Sequence, residues 1–202
     1  MKTGIICLET EWEHTIKQNR LSLHTRSLLG FLEKSWGCKV IYRRVATKGE
    51  LQYYLRRFAT SEYNDYSIFY LSFHGDTHSI FLEGEKKTEK KLTLNELADM
   101  AKGVFTDRFV HFSSCRTLLG SDKELEEFKN DTGALYLSGY TTKVDSILSA
   151  INDIAYFDQI LRHQTKKALI ASAIEKYYNG LSQKLGFKIF LSLIHISEPT
   201  RP

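Results

Sequence analysis

Proline is almost missing from this chain of 202 residues: Pro199 and Pro202 are the only two, and both lie at the very end. No proline-rich or glycine-rich stretch marks a linker between domains, and no internal repeat appears. Cysteine is scarce as well. Cys7, Cys38 and Cys115 form no metal-binding spacing among themselves, and their odd number argues against a complete disulfide framework. Long hydrophobic runs are absent too. Gly4 to Leu8 is too short for a signal-peptide core and runs into acidic Glu9, Glu11 and Glu13, and no segment approaches the roughly 20 apolar residues that span a bilayer. These absences lead us to expect a cytoplasmic protein with reduced thiols and no membrane partner. The net charge of +4 is spread over pairs such as Arg43-Arg44, Arg56-Arg57 and Lys166-Lys167. A nucleic-acid surface would need a clustered basic stripe with interleaved aromatics, so no nucleic-acid partner is expected. The first apolar run is followed by ETEWEH, with no glycine run to cradle a phosphate.

The prolines belong to a foreign-looking end. Leu191 to Arg201 (LSLIHISEPTR) resembles a translated sequencing adapter. We therefore set 191–202 aside as a tail and read 1–190 as a single domain whose natural continuation is cut off near Phe190. With 42% hydrophobic and 12% aromatic residues, a domain of this size can bury a substantial core.

Strand and helix signals alternate along those residues. Gly4 to Leu8 and Lys39 to Val45 have the character of strands, and Leu21 to Ser35 carries an apolar helical stripe. Thr47 with Glu50, and later Thr93 with Glu96, are capping-box pairs that open helices. Tyr66 to Phe73 (YSIFYLSF) is apolar on both faces, as an interior strand of a parallel sheet must be. A small surface hairpin follows it, then strands at Phe109 to Ser113 and Ala134 to Ser138, with a short helix over Lys123 to Lys129 between them. Ser146 to His163 and Lys167 to Leu185 are long covering helices, the first with Ile147, Ile151, Ile154, Phe157 and Leu161 at helical spacing. Phe187 and Ile189 begin a last strand. The fold class expected is α/β, a three-layer sandwich with a mainly parallel sheet and helices on both faces.

In such sheets ligands bind beyond the carboxyl ends of the strands. Two strands deliver reactive groups there: one runs into His74-Gly75 and the other into Ser114-Cys115. A thiol attacks only as thiolate, and a nearby imidazole can take its proton and later protonate a leaving amine. Gly75, without a side chain, can turn sharply and bring its N–H close to a developing oxyanion. Cys7 and Cys38 lie inside strands and are expected to be buried small hydrophobes. Zinc is a rival use of His74, His78, His111 and Cys115. It fails on geometry, because four residues along a strand span roughly 13 Å, too far for two ligands of one tetrahedral ion.

At these residues the sequence resembles the caspase-like clan of cysteine peptidases, and within it the CHAT-domain family. IFYLSFHGD is similar to that clan's apolar run ending in His-Gly. FVHFSSCRT is similar to the CHAT pattern of apolar residues, Ser, small residue, Cys, any residue, Thr, and TGALYLSGYTTKVD resembles the next strand and the specificity loop. The resemblance implies His74 as general base and acid, Cys115 as nucleophile and Gly75 as an oxyanion contact. It also implies a polypeptide substrate, a regulatory protein partner, no cofactor, and regulated intracellular proteolysis of the kind microbes use in stress or defence. Two readings remain for Asp145: it lines a substrate pocket or it caps the helix that starts at Ser146. Metacaspase-type members carry an acid shortly before the cysteine. Here Ser113 and Ser114 stand in those places, so the resemblance lends no support to a preference for basic residues. The alternative from another class is a signalling or scaffold module that keeps the fold without turnover.

Overall fold

The computed structural model describes residues 4–10, 23–163 and 166–190. Five parallel strands, β1 (Gly4–Thr10), β2 (Val40–Val45), β3 (Tyr66–Ser72), β7 (Phe109–Ser113) and β8 (Tyr136–Tyr140), and one antiparallel strand, β9 (Phe187–Phe190), form a sheet of order β2-β1-β3-β7-β8-β9. The expected mainly parallel sheet is present, and the last strand, whose direction the sequence left open, runs against the rest. The chain leaves β1 toward one edge and returns to continue on its other side. The β1–β3 boundary is therefore the switch point, where such sheets open a crevice.

Helices cover both faces. The helices α2 (Lys48–Phe58), α3 (Leu94–Met100) and α4 (Asp122–Thr132) pack Leu51, Leu55, Leu97, Leu125 and Phe128 against Phe69, Leu71, Val110 and Phe112. On the other face α1 (Leu23–Trp36), α5 (Ser146–Arg162) and α6 (Ala168–Leu185) pack Leu28, Leu32, Phe157, Ile160, Ile170 and Ile174 against Ile5, Ile68 and Tyr70. This is the three-layer sandwich. Both capping boxes are formed: Thr47 accepts from Glu50 N–H and Thr93 from Glu96 N–H, each at 3.2 Å, while each glutamate reaches back to the cap backbone.

Between β3 and β7 the chain makes a small antiparallel sheet of three strands, β4 (His74–Asp76), β5 (Ser79–Phe81) and β6 (Lys91–Thr93), where a hairpin is expected from sequence. β8 begins two residues later than its sequence signal, because Ala134 and Leu135 donate their N–H groups to Lys129 and Arg108 carbonyls instead of a ladder. The apolar stripe of α5 is also displaced. Ile147 and Ile151 are exposed, and the buried side carries Ser149, Asn152, Asp153, Tyr156, Phe157 and Ile160. No helix among the described residues is long and apolar enough to cross a membrane. The tail 191–202 and His14 lie outside the described residues.

Candidate functional site

Strands β3 and β7 are neighbours, with Tyr70 opposite His111 and Ser72 opposite Ser113. Side chains alternate between the two faces of a sheet, so Tyr70 and Ser72 share the α1/α5 face with His111 and Ser113. The ladder stops at Ser72 and Ser113; His74 then opens β4 and Cys115 lies in the turn after β7, both at the carboxyl ends of the two strands. Both line one cavity of about 240 Å³, whose walls come from β3, β7, Thr25 of α1 and the start of α5. His74 is exposed and Cys115 half-buried.

Three features hold Cys115 in place. Its sulfur accepts the Val144 N–H at 3.5 Å, immediately before the N-terminus of α5. The next residue, Arg116, takes a left-handed backbone with φ of 58° and donates its N–H to Thr142 O at 3.0 Å. Leu118 then donates to Tyr140 O at 3.1 Å, so the turn that carries the thiol is pinned to the end of β8. Cys7 and Cys38 differ. Both are buried, and burial pushes both thiols up, Cys7 strongly, with Glu9 and Asp153 adding to the effect there.

Gly75 rests directly on that turn. A Cβ added to it would lie 2.4 Å from Thr117 Oγ1 and 2.7 Å from Cys115 O, so no larger residue fits without moving backbone. Its N–H is not used by the small sheet. On either side of β5, Leu82 N–H bonds Lys90 O and Leu94 N–H bonds His78 O, both at 2.9 Å, a phase that leaves Ser79 and Phe81 to bond β4. Gly75 opposes Ile80 in the non-bonded pair between them, and its N–H faces away from β5.

Of the two readings for Asp145, the structure shows the cap: Oδ1 accepts the N–H groups of Ile147 and Leu148, each at 2.9 Å. Its neighbours Val144 and Ser146, and not Asp145, line the cavity. The four proposed zinc ligands do not converge. His111 is fully buried within β7, with Nδ1 on Ser138 Oγ at 2.9 Å and Nε2 on Asp153 Oδ1 at 2.7 Å. Among the described residues no three His, Cys, Asp or Glu side chains are placed to hold a metal.

Asp153 is the residue that the sequence did not single out. It is fully buried on α5 beneath the cavity, and its carboxylate receives His111 Nε2, Tyr70 OH at 2.8 Å, Ser113 Oγ at 2.7 Å and Tyr140 OH. Burial alone would raise this carboxyl, but the His111 charge and hydrogen bonds from His111, Tyr140 and Ser113 outweigh it and hold it below the ordinary carboxylate range. A second buried carboxylate, Glu9 at the end of β1, accepts from Tyr42 OH and from Ser72 Oγ at 3.3 Å. Tyr70, Ser72 and Ser113 thus connect the cavity wall to two buried carboxyl groups. A signal was available in the sequence: Tyr70, His111 and Ser138 are polar members of interior strands buried on both faces, and such groups require buried partners.

Compared with curated proteins, the chain matches none. Residues 2–191 match the family model described as "Family of unknown function (DUF6642)", a span that contains every element lining the cavity. The chain belongs to the DUF6642 family.

Proposed function

We propose that this protein is a cysteine peptidase of the caspase-like type, with Cys115 as nucleophile and His74 as its base. The observation that carries the reading is the β3–β7 register. It makes the carboxyl ends of β3 and β7 neighbours, and the residues just beyond them, His74 and Cys115, line one cavity. The resemblance of the His-Gly and Ser-Ser-Cys motifs to CHAT-domain peptidases supports the same assignment.

In this reading His74 takes the Cys115 proton and the sulfur attacks a peptide carbonyl, whose oxygen becomes an oxyanion within reach of the Gly75 and Cys115 N–H groups. His74 then gives the proton to the leaving amine. Water, activated by the same imidazole, adds to the thioester and releases the acid, with the thiol restored. The Val144 N–H on the sulfur holds the thiol beside the start of α5 before substrate arrives. No cofactor enters this scheme. Regulated proteolysis in a stress or defence response, with a protein partner controlling it, is the biological setting that the resemblance offers.

Alkylation of the intact protein with a peptidyl electrophile, read by mass spectrometry across a pH series, tests the reading. Cys115 should be modified while buried Cys7 and Cys38 are spared, and His74→Ala should slow the modification at least tenfold. Equal modification of all three thiols, indifferent to His74, would leave a non-catalytic signalling or scaffold module as the better account.

A further inference from the structure

The Asp153 carboxylate is fully buried, and each of its oxygens is shared between two partners. Oδ2 accepts from Tyr70 OH of β3 at 2.8 Å and from Ser113 Oγ of β7 at 2.7 Å. Oδ1 receives His111 Nε2 of β7 at 2.7 Å and Tyr140 OH of β8. A carboxylate offers about four acceptor sites, so these partners occupy it fully. Three neighbouring strands and one helix are thereby tied at a single group. The tie lies at the carboxyl end of the β3–β7 ladder, whose final rungs run from Tyr70 opposite His111 to Ser72 opposite Ser113.

Two routes lead from this tie to the cysteine. Ser113 stands two residues before Cys115 on the chain, and both line the cavity. Tyr140 supplies the second route. Its hydroxyl also lies 3.2 Å from Ser149 O of α5, while its carbonyl accepts the Leu118 N–H at 3.1 Å and so holds the far end of the turn that carries the thiol. The helix acts as a lever between them. Val144, whose N–H rests on the sulfur at 3.5 Å, stands just before the first turn of α5, and a helix carries displacement along its length as a rod. Where Asp153 is tied therefore decides where that N–H lies.

From these ties we propose that Asp153 is a positioning residue: without touching substrate, it holds the carboxyl ends of β3 and β7 and the start of α5 so that His74 and Cys115 stay within reach of one another. This role rests on the peptidase reading and deepens it, by naming the buried group on which the geometry of the pair depends. Charge alone would act in the opposite sense. A negative charge near a thiol opposes its ionisation, so removing the carboxylate would speed attack if electrostatics ruled. A loss of rate therefore marks geometry. Misplacing a reacting group by about 1 Å can lower a rate on the order of a hundredfold, and strand ends that keep their backbone ladder should shift by less.

The test is the rate at which iodoacetamide modifies Cys115 of the full chain, followed by mass spectrometry across a pH series. Asp153→Asn is compared with Tyr70→Phe and Ser113→Ala, each of which removes one donor to Oδ2 and spares the carboxylate, and every variant is measured with His74 present and in the His74→Ala background. With His74 present, Asp153→Asn should slow Cys115 about tenfold and each milder variant about threefold, with the pH midpoint displaced toward the ordinary thiol value of about 8.5. In the His74→Ala background the same substitutions should change the rate by less than about twofold, because a residue that acts through the pair has nothing left to align. A purely structural role predicts equal losses in both backgrounds and an unmoved midpoint, and either result would overturn the inference. So would rates at or above wild type in Tyr70→Phe and Ser113→Ala, which decide alone if Asp153→Asn does not fold. If His74→Ala by itself leaves the Cys115 rate unchanged, the peptidase reading falls first and the positioning role falls with it.

Discussion

The two faces of the central sheet are built on different terms. Beneath α2, α3 and α4 the core is a continuous apolar mass, and its buried cation, Arg108, lies at the end remote from the cavity, its guanidinium satisfied by the Phe58 and Tyr63 carbonyls at 3.0 and 3.1 Å. Beneath α1, α5 and α6 the same strands bury Glu9, Ser72, His111, Ser138 and Asp153, joined by hydrogen bonds that end at the cavity wall. A buried polar group is tolerated only with partners, and a full set of partners fixes one arrangement. The apolar face asks only for volume. The polar face asks for particular atoms, and it is the face on which His74 and Cys115 emerge.

Shape-preserving substitutions on each face should separate the two most widely. Asp153→Asn keeps the outline of the side chain but replaces one acceptor oxygen with an NH2 facing groups that donate to it, and it should cost about 3–5 kcal/mol, as broken buried pairs do. Leu55→Met on the apolar face should cost less than about 1.5 kcal/mol. Urea unfolding of the two variants decides the matter, and equal costs would erase the distinction between the faces.

Gly75→Ala sharpens the comparison where the small sheet meets the cysteine turn. The new methyl would collide with Cys115 O and Thr117 Oγ1, so a loss of about 1–3 kcal/mol is expected from overpacking. Slower modification of Cys115 should accompany it, because the turn itself must shift. A stability loss with unchanged reactivity would detach Gly75 from the site.

Acid provides a milder perturbation. The Asp153 carboxyl is held below its ordinary value in the folded protein, so its contribution is complete above the unfolded carboxylate pKa of about 3.9 and is lost as pH falls through the lower folded value. Below about pH 4 the wild-type protein should therefore lose stability more steeply than Asp153→Asn, which has nothing to protonate there. Parallel acid limbs for the two proteins would show that the network does not hold this charge. The smallest effect is expected at Cys115→Ala, within about 1 kcal/mol of wild type by thermal denaturation, although the same change should abolish alkylation at the rim.

Much of the apolar face was legible in the sequence, because apolar periodicity and capping chemistry are local. Thr47 with Glu50 and Thr93 with Glu96 announced their helices, and YSIFYLSF announced an interior strand. His74 and Cys115 were legible as the ends of strands, although only the pairing of β3 with β7 brings them to one rim. The polar face was not. Asn152 and Asp153 in a helix look like a solvated side and Ile147 and Ile151 like a core stripe, yet these four are reversed, while Phe157 and Leu161 of the same stripe are buried as expected. What turns it is the set of donors waiting on β3, β7 and β8, namely Tyr70, His111, Ser113 and Tyr140. Their convergence is a property of the sheet and of no single segment.

The β3–β7 pairing also orders events in time. Its partners are separated by the whole β4–β6 sheet and α3, and parallel pairing across so long a crossover carries a large loop-closure cost before any contact repays it. An emerging or half-folded chain therefore holds an imidazole and a thiol that have not met. The juxtaposition arises only with the finished sheet, so under the proposed peptidase reading folding itself is the safety catch on this cysteine.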